Sequence, residues 1–191
     1  KGSRVMKACV FDVETTGLPK HPLSKEGVQP RIIEFGAALL DEAGEVIETL
    51  QLLINPHQPL EAIITKITGL TDDDLSDKPE FHEVLPEITA LFAKADIVVA
   101  HNLPFDSTLL ELELARCGAK DFPWPRIKIC TVQERAESWG RRPKLLELYQ
   151  ELTGEPLAQT HRALDDVLAL CTIVKKESII ENCHAAIAGT L

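Results

Sequence analysis

The order of strand-like and helix-like segments is the feature that most limits the fold of this chain. Three apolar segments typical of strands come first, at residues 7–13, 31–41 and 46–56, and the short turn 42–45 joins the second to the third. Because strands joined so closely usually pair antiparallel, we expect a hairpin between them. A brief β-branched run at 96–100 is typical of a strand covered on both faces.

The remaining segments alternate between helix and strand. Residues 126–131 predict a fifth strand. Apolar residues repeat at helical spacing in five segments, which are 59–70, 79–95, 106–118, 144–154 and 162–180. A meander of strands followed by this alternation predicts an α/β fold, with a mixed sheet that helices cover on both faces.

Length and composition predict one globular domain. The 191 residues, 45% of them hydrophobic, are enough to bury a sizeable core, and we find no repeat or composition shift. Residues 1–5, ahead of Met6, are typical of a cloning remnant, so we expect the domain to span 6–191. No apolar run approaches the roughly 20 residues that span a bilayer. We therefore expect no membrane partner.

The five cysteines are odd in number and scattered, which is typical of a protein in a reducing compartment. We therefore expect a cytoplasmic location.

The segment VFDVETTGLP, residues 10–19, places two acids one residue apart in an apolar strand. Side chains alternate faces along a strand, so Asp12 and Glu14 share one face while Phe11 and Val13 share the other. Two adjacent carboxylates disfavour each other's ionisation unless a cation lies between them, and a divalent metal ion is the usual cation. The alternative is a solvated edge strand with incidental acids, and the pair alone does not decide between the two.

Further acids stand where another strand ends and where the last helix begins. Asp106 follows the strand at 96–100, and His161 precedes the adjacent pair Asp165 and Asp166. Acids in the first turn of a helix also compensate the helix dipole, and a single histidine is more often a surface residue than a catalyst. Taken one at a time, these residues leave catalytic and structural roles open.

Helical periodicity does not choose between Asp165 and Asp166. The predicted buried stripe of this helix comprises Leu164, Val167, Leu168 and Cys171. Steps of about 100° per residue put the two acids on opposite shoulders of that stripe, so either could reach a site at the start of the helix.

Five motifs together resemble a known family. DVETTGL, RIIEFGA, KITGLT, AHNLPFD and HRALDD occur in the order, and at about the spacing, of the DEDDh exonucleases. The chain is similar to their DnaQ-like branch, which includes the proofreading epsilon subunit of bacterial replicative DNA polymerase, over about residues 6–180. The resemblance implies a ribonuclease H-like mixed sheet, an antiparallel meander and then parallel strands, flanked by helices. It also implies removal of nucleotides from a 3′ end, with release of nucleoside monophosphates.

The resemblance further implies roles for particular residues. The family's first motif supplies Asp12 and Glu14, its second Asp106, and its third His161 and Asp166 in an H-x-x-x-x-D spacing. The four acids would hold two divalent ions, Mg²⁺ or Mn²⁺, and His161 would act as general base. Two ions held by shared carboxylates activate water and stabilise charge on the phosphate and the leaving oxygen, and an all-oxygen site suits magnesium. Histidine exchanges protons near neutral pH, which suits it to the base role.

Substrate contacts follow from the same resemblance. The backbone near Thr15 and Thr16 would line the pocket of the terminal nucleotide, and Phe105 and Leu70 would contact its base or sugar. Core packing is at least as good an explanation for these two apolar side chains. The formal net charge of −10 argues against a broad basic surface. It fits an enzyme that holds only a frayed 3′ end through metal ions or a local basic patch.

Two features differ from the usual pattern of the family and bear on the substrate rather than on the reaction. The loop 19–30, with three prolines, is longer than expected in a proofreading subunit and is a candidate flap, and Thr68 stands where many relatives carry histidine. The resemblance implies a 3′–5′ exonuclease acting on DNA, either free-standing or associated with a polymerase. An RNA-trimming enzyme similar to oligoribonuclease or RNase T is the alternative, and a non-catalytic nucleic-acid-binding module is a third interpretation.

Overall fold

A five-stranded sheet in the order β3-β2-β1-β4-β5 forms the centre of the computed structural model, which describes residues 4–24 and 29–189. The strands are β1 (Ala8–Thr15), β2 (Ile32–Leu40), β3 (Val46–Leu53), β4 (Ile97–Ala100) and β5 (Ile127–Cys130). β2 pairs antiparallel with β1 and β3, whereas β4 pairs parallel with β1 and β5. The predicted hairpin and the predicted mixed sheet are therefore confirmed.

Helices connect these strands and cover both faces of the sheet. Within the described ranges they are α1 (Ala62–Thr68), α2 (Asp72–Leu75), α3 (Phe81–Phe92), α4 (Leu103–Arg116), α5 (Thr131–Trp139), α6 (Leu145–Thr153), α7 (Ala163–Lys176) and α8 (Ile179–Ala188). Across the same residues, none of these helices is long and apolar enough to cross a membrane.

The helices differ from the sequence-based expectation at three places. The sequence pattern does not predict α5, because only Thr131 and Val132 of its nine residues are buried. The segment 162–180, predicted as one helix, forms α7 and the start of α8, because Ser178 adopts a left-handed conformation (φ 50°) between them. α2 is a single turn of four residues and is too short to show a periodicity.

The sheet separates two hydrophobic clusters. Phe11 and Val13 of β1 belong to the cluster that also contains Phe92 of α3, and the rings of Phe11 and Phe92 pack edge to face with centroids 5.3 Å apart. Val10 belongs to the opposite cluster with Val167 of α7. Because side chains alternate along β1, its two acids lie on the side that α7 covers.

The base of the predicted flap is fixed next to β1, although residues 25–28 of the loop 19–30, like residues 1–3, lie outside the described residues. Gln29 is buried at the end of this loop. Its side-chain amide accepts a hydrogen bond from the Lys20 N–H (2.9 Å) and donates one to the Lys20 carbonyl (2.6 Å). The two ends of the loop are therefore held together beside the carboxyl end of β1.

Candidate active site

The carboxyl end of β1 meets the N-terminal turns of α4 and α7. β4 runs parallel to β1, so the helix that follows β4 begins at the edge of the sheet where β1 ends. α7 packs against β1 and β2, and its first turn reaches the same edge. Of the predicted site residues, these elements carry Asp12, Glu14, Asp106 and Asp166, and His161 lies two residues before α7.

A hydrogen bond joins β1 to α4 inside this site. Asp106 is buried in the first turn of α4, and its Oδ1 accepts a hydrogen bond from the Val13 N–H at 3.1 Å. α4 begins at Leu103, three residues before the predicted start, because Asn102 adopts a left-handed conformation (φ 71°) that ends β4 and starts the helix. Asp106 therefore points inward from a helix whose start is held by the preceding turn.

Asp12 carries a buried oxygen without a partner. Its Oδ2 makes no hydrogen bond with any residue that the structure describes. Burial, and then the neighbouring carboxylates of Asp106, Glu14 and Asp166, raise the pKa of Asp12 well above its usual range. Such a group is stable only when it is protonated or when a cation compensates its charge.

Glu14, His161 and Asp166 converge on one small volume. Each offers one ligand atom, and these atoms lie within 4.8 Å of one another. Burial, with added repulsion from Asp166 and Glu34, raises the pKa of Glu14 to about 8. Burial also raises the pKa of Asp166, although a hydrogen bond from the Gln159 amide to Asp166 Oδ2 (3.2 Å) opposes that shift.

These observations fit a divalent metal site. Carboxylate oxygens are the ligands that Mg²⁺ prefers, and the described cluster adds only one histidine to them. A bound cation would give the partnerless oxygen of Asp12 a partner, and its charge would offset the burial and repulsion that raise the pKa of Glu14.

The two adjacent acids of α7 differ in burial and direction. Asp166 is only 6% exposed and faces the site, whereas Asp165 is exposed and its Oδ2 accepts a hydrogen bond from the Thr160 hydroxyl at 2.8 Å. The predicted stripe is wrong at Leu168, which is 41% exposed. The buried face of α7 is centred closer to Asp166 and Leu170, and this rotation turns Asp165 to solvent.

An ion pair with a fully buried carboxylate, which the sequence did not predict, anchors the start of α7. Glu34 of β2 has no exposed surface, and its carboxylate accepts hydrogen bonds from Arg162 Nε (3.0 and 3.1 Å) and Nη2 (2.7 Å). It also accepts the Ala163 N–H at 2.6 Å. Glu34 therefore holds the backbone next to His161. An acid inside a strand whose nine residues are all buried was the available signal, but its partner could not be identified from sequence.

Gly36 allows α7 to approach β2 closely. A Cβ at this position would lie 2.6 Å from the carbonyl carbon of Ala163 and 2.6 Å from the nitrogen of Leu164. Both are backbone atoms, so no change of rotamer could relieve the contact. The motif RIIEFGA thus places α7 through two residues, one by an ion pair and one by the absence of a side chain.

A cleft of about 790 Å³ opens beside Glu14. Thr15, Thr16 and Phe105 line it, as the resemblance implies, and Ile63 adds an exposed apolar side chain from α1. We call it the terminal-nucleotide cleft, after the role that the resemblance implies for Thr15 and Thr16. Leu70, by contrast, is 3% exposed and packs in a small core cluster. It is a core residue, which is the alternative that the sequence had left open, and it does not line the cleft.

Comparisons with known proteins place these features in a family context. The model of a family described as "Exonuclease" (RNase_T) matches residues 9–174. The chain is 32% identical to DNA polymerase III subunit epsilon of Treponema pallidum, over 82% of this chain and 69% of that protein. It is 41% identical to the PolC-type DNA polymerase III of Bacillus subtilis over 87% of this chain, but this covers only 11% of that protein. The chain therefore spans about a tenth of the length of its PolC-type relatives.

Solved structures share the fold. The nuclease domain of 3′hExo, a DEDDh family member bound to rAMP, superposes with a TM-score of 0.74 at 20% identity over 96% of both chains. Exonuclease X in complex with 5′ overhanging duplex DNA superposes with a TM-score of 0.64 at 22% identity over 92% of both chains. The ribonuclease H-like fold that the sequence predicts is thereby confirmed.

Proposed function

Because the chain belongs to the exonuclease family, in its DEDDh, DnaQ-like branch of 3′–5′ exonucleases, we propose that it removes nucleotides from the 3′ ends of DNA and releases nucleoside monophosphates. The observation that carries this proposal is the convergence of Glu14, His161 and Asp166 within 4.8 Å, directly beside the terminal-nucleotide cleft. The two curated relatives described above, at 41% and 32% identity, are DNA polymerase III proteins, which supports DNA as the substrate and action beside a polymerase.

The family implies divalent metal ions, and we assign them to the four acids that the structure gathers. These are Asp12, Glu14, Asp106 and Asp166. Two bound ions would supply activation of a water molecule and neutralise charge on the phosphate and on the leaving 3′ oxygen.

His161 is assigned the role of general base. Its ring lies beside Glu14 and Asp166 and is otherwise exposed to solvent. One ring nitrogen would take the proton of the attacking water, and the exposed ring could then pass that proton to solvent. Gln159 would hold the Asp166 carboxylate in place through its hydrogen bond to Oδ2.

The terminal-nucleotide cleft has the shape and polarity to hold one base and its sugar. Phe105 and Ile63 offer apolar surface on which a base could pack. Both threonine hydroxyls already have partners within the protein. The Thr15 hydroxyl donates a hydrogen bond to the Gly17 carbonyl (2.6 Å), and the Thr16 hydroxyl accepts one from the Arg31 N–H (2.9 Å). These threonines would therefore shape the wall of the cleft mainly through their backbone.

A degradation assay with end-labelled strands tests the proposal. A DNA strand labelled at its 5′ end should shorten progressively in Mg²⁺ or Mn²⁺, should resist when its 3′ end carries a phosphate, and should stay intact in excess EDTA. The Asp12→Asn variant, which keeps the size of the side chain, is the matched inactive control. Full activity in EDTA, or early internal cuts in a circular single strand, would contradict the assignment.

RNA is the second candidate substrate, and the comparison with 3′hExo favours including it, because that structure contains rAMP. The same assay therefore includes an RNA strand of identical sequence and a duplex with a mispaired 3′ end. Faster removal of mispaired DNA ends supports the proofreading interpretation. Faster degradation of RNA would replace it with the RNA-trimming alternative.

A further inference from the structure

The charge of the protein poses a problem for any nucleic-acid substrate. The chain carries a formal net charge of −10, and four carboxylates gather at the proposed reaction centre. Metal ions would compensate the charge of the scissile phosphate, but the phosphates further along the strand would still meet an acidic protein. Positive side chains close to the centre are therefore needed.

A groove on the far side of His161 supplies such side chains. It encloses about 440 Å³, and none of the described residues that line it is acidic. Its polar side chains belong to His101, Asn102, Arg142, Lys144, Gln159 and His161. We call it the α5–α6 groove, because Arg142 and Lys144 come from the loop between those helices.

The groove and the terminal-nucleotide cleft meet at the acidic centre. Glu14 lines the cleft and His161 lines the groove, and their ligand atoms lie within 4.8 Å of each other. A strand whose last nucleotide occupies the cleft and whose scissile phosphate lies at Glu14 and His161 would continue directly into the groove.

Contacts within the protein hold the groove in shape. Arg142 Nη2 donates a hydrogen bond to Asn102 Oδ1 at 2.7 Å, which places the guanidinium on the groove wall next to the start of α4. The buried Pro143 lies between the two cations, and its carbonyl oxygen is 3.0 Å from His101 Nε2. The loop is thus tied to the residues that follow β4, which reduces the entropy lost when it binds a strand.

We propose that the α5–α6 groove binds the backbone phosphates of the substrate strand on the 5′ side of the scissile bond, with Arg142 contacting a phosphate and Lys144 adding a second positive charge. This inference rests on the proposed function. It assigns the strand path to one local basic surface and explains how an acidic protein can hold more than the terminal nucleotide.

Arg142→Ala tests the groove, and Arg141→Ala is its matched control. Arg141 lies in the same loop and carries the same charge, but its guanidinium binds Glu147 (2.9 and 3.2 Å) and lies over the Trp139 ring. Removal of the phosphate contact should raise the KM for an eight-residue oligodeoxythymidylate roughly 5- to 30-fold. The slope of log KM against log salt should become smaller by about 0.7, the value for one contact to a single strand. Arg142→Lys, which keeps the charge, should recover part of the affinity.

A substrate of one nucleotide separates the groove from the reaction centre. The p-nitrophenyl ester of thymidine 5′-monophosphate is too short to reach the groove, so Arg142→Ala should impair the oligonucleotide several-fold more than the ester. Equal losses on both substrates, or equal KM values for the Arg141 and Arg142 variants, would overturn the inference. Fluorescence anisotropy with the labelled oligonucleotide in EDTA measures groove binding without hydrolysis. One outcome is that the wild type binds the oligonucleotide more tightly than Arg142→Ala in EDTA and yet hydrolyses neither substrate when Mg²⁺ is supplied. In that case the proposed function fails while the groove stands.

Discussion

Gly36→Ala tests whether the close contact between β2 and α7 sets the geometry of the site. The added Cβ would lie 2.6 Å from the backbone of Ala163 and of Leu164, whereas ordinary contact begins at 3.4 Å. β2 and α7 must therefore separate by about 0.8 Å. Such overpacking typically costs about 1–3 kcal/mol, which lowers the melting temperature of a chain of this length by roughly 2–12 °C.

The same displacement should also reduce kcat, because it moves residues of the proposed reaction centre. His161 and Asp166 flank the contact, two residues before and three residues after Ala163, so a movement of α7 carries both away from β1. A misplacement of about 1 Å can cost on the order of 10² in rate, and we expect kcat to fall roughly 10- to 100-fold.

Circular dichroism melts and kcat on a single-stranded oligonucleotide at saturating metal measure the two effects. Val174→Ala is the control, because Val174 is buried in α7 far from its first turn. It should lose a similar amount of stability and keep wild-type kcat below its melting temperature. A Gly36→Ala protein with wild-type kcat would refute the argument that this contact positions the site, whatever its stability.

Three further predictions concern individual side chains. Asp166→Asn should be nearly inactive and lose metal affinity in a calorimetric titration, whereas Asp165→Asn should keep most of its activity and lose at most a few tenths of a kcal/mol of helix-dipole stabilisation; the reverse result would move the third motif by one residue. His161→Ala should lower kcat by on the order of 10² to 10⁴, with metal affinity largely retained, and a near wild-type rate would place the base elsewhere. Because the pKa of Glu14 is raised from 4.5 to about 8, the folded metal-free protein binds this proton more tightly than the unfolded chain does, so this contribution to stability is lost as pH rises from about 4.5 to about 8. Melts in EDTA should therefore show a larger loss of stability across that range in the wild type than in Glu14→Gln, and an equal loss would contradict the assigned cause.

The sequence by itself determined what depends on local periodicity. Asp12 and Glu14 share a face of β1 because strand side chains alternate, whatever packs above them. The β2–β3 hairpin follows in the same way from two strand patterns and a short turn, and the structure contains it. Both features involve residues close together in the chain, so pattern alone was sufficient.

The tertiary structure decided which contacts between distant segments hold the side chains of the site in place. Helical periodicity left Asp165 and Asp166 open, and only the family's motif spacing favoured Asp166. The buried face of α7 is rotated away from the predicted stripe, and Gly36 and Glu34 set that placement from another strand. Glu34 and Arg162 are 128 positions apart, so neither residue indicates the other in the sequence. Arg142 likewise reaches the groove only because its loop packs against the end of β4. Such contacts join segments whose separation in the chain carries no information about their distance, and only packing of the whole chain brings them together.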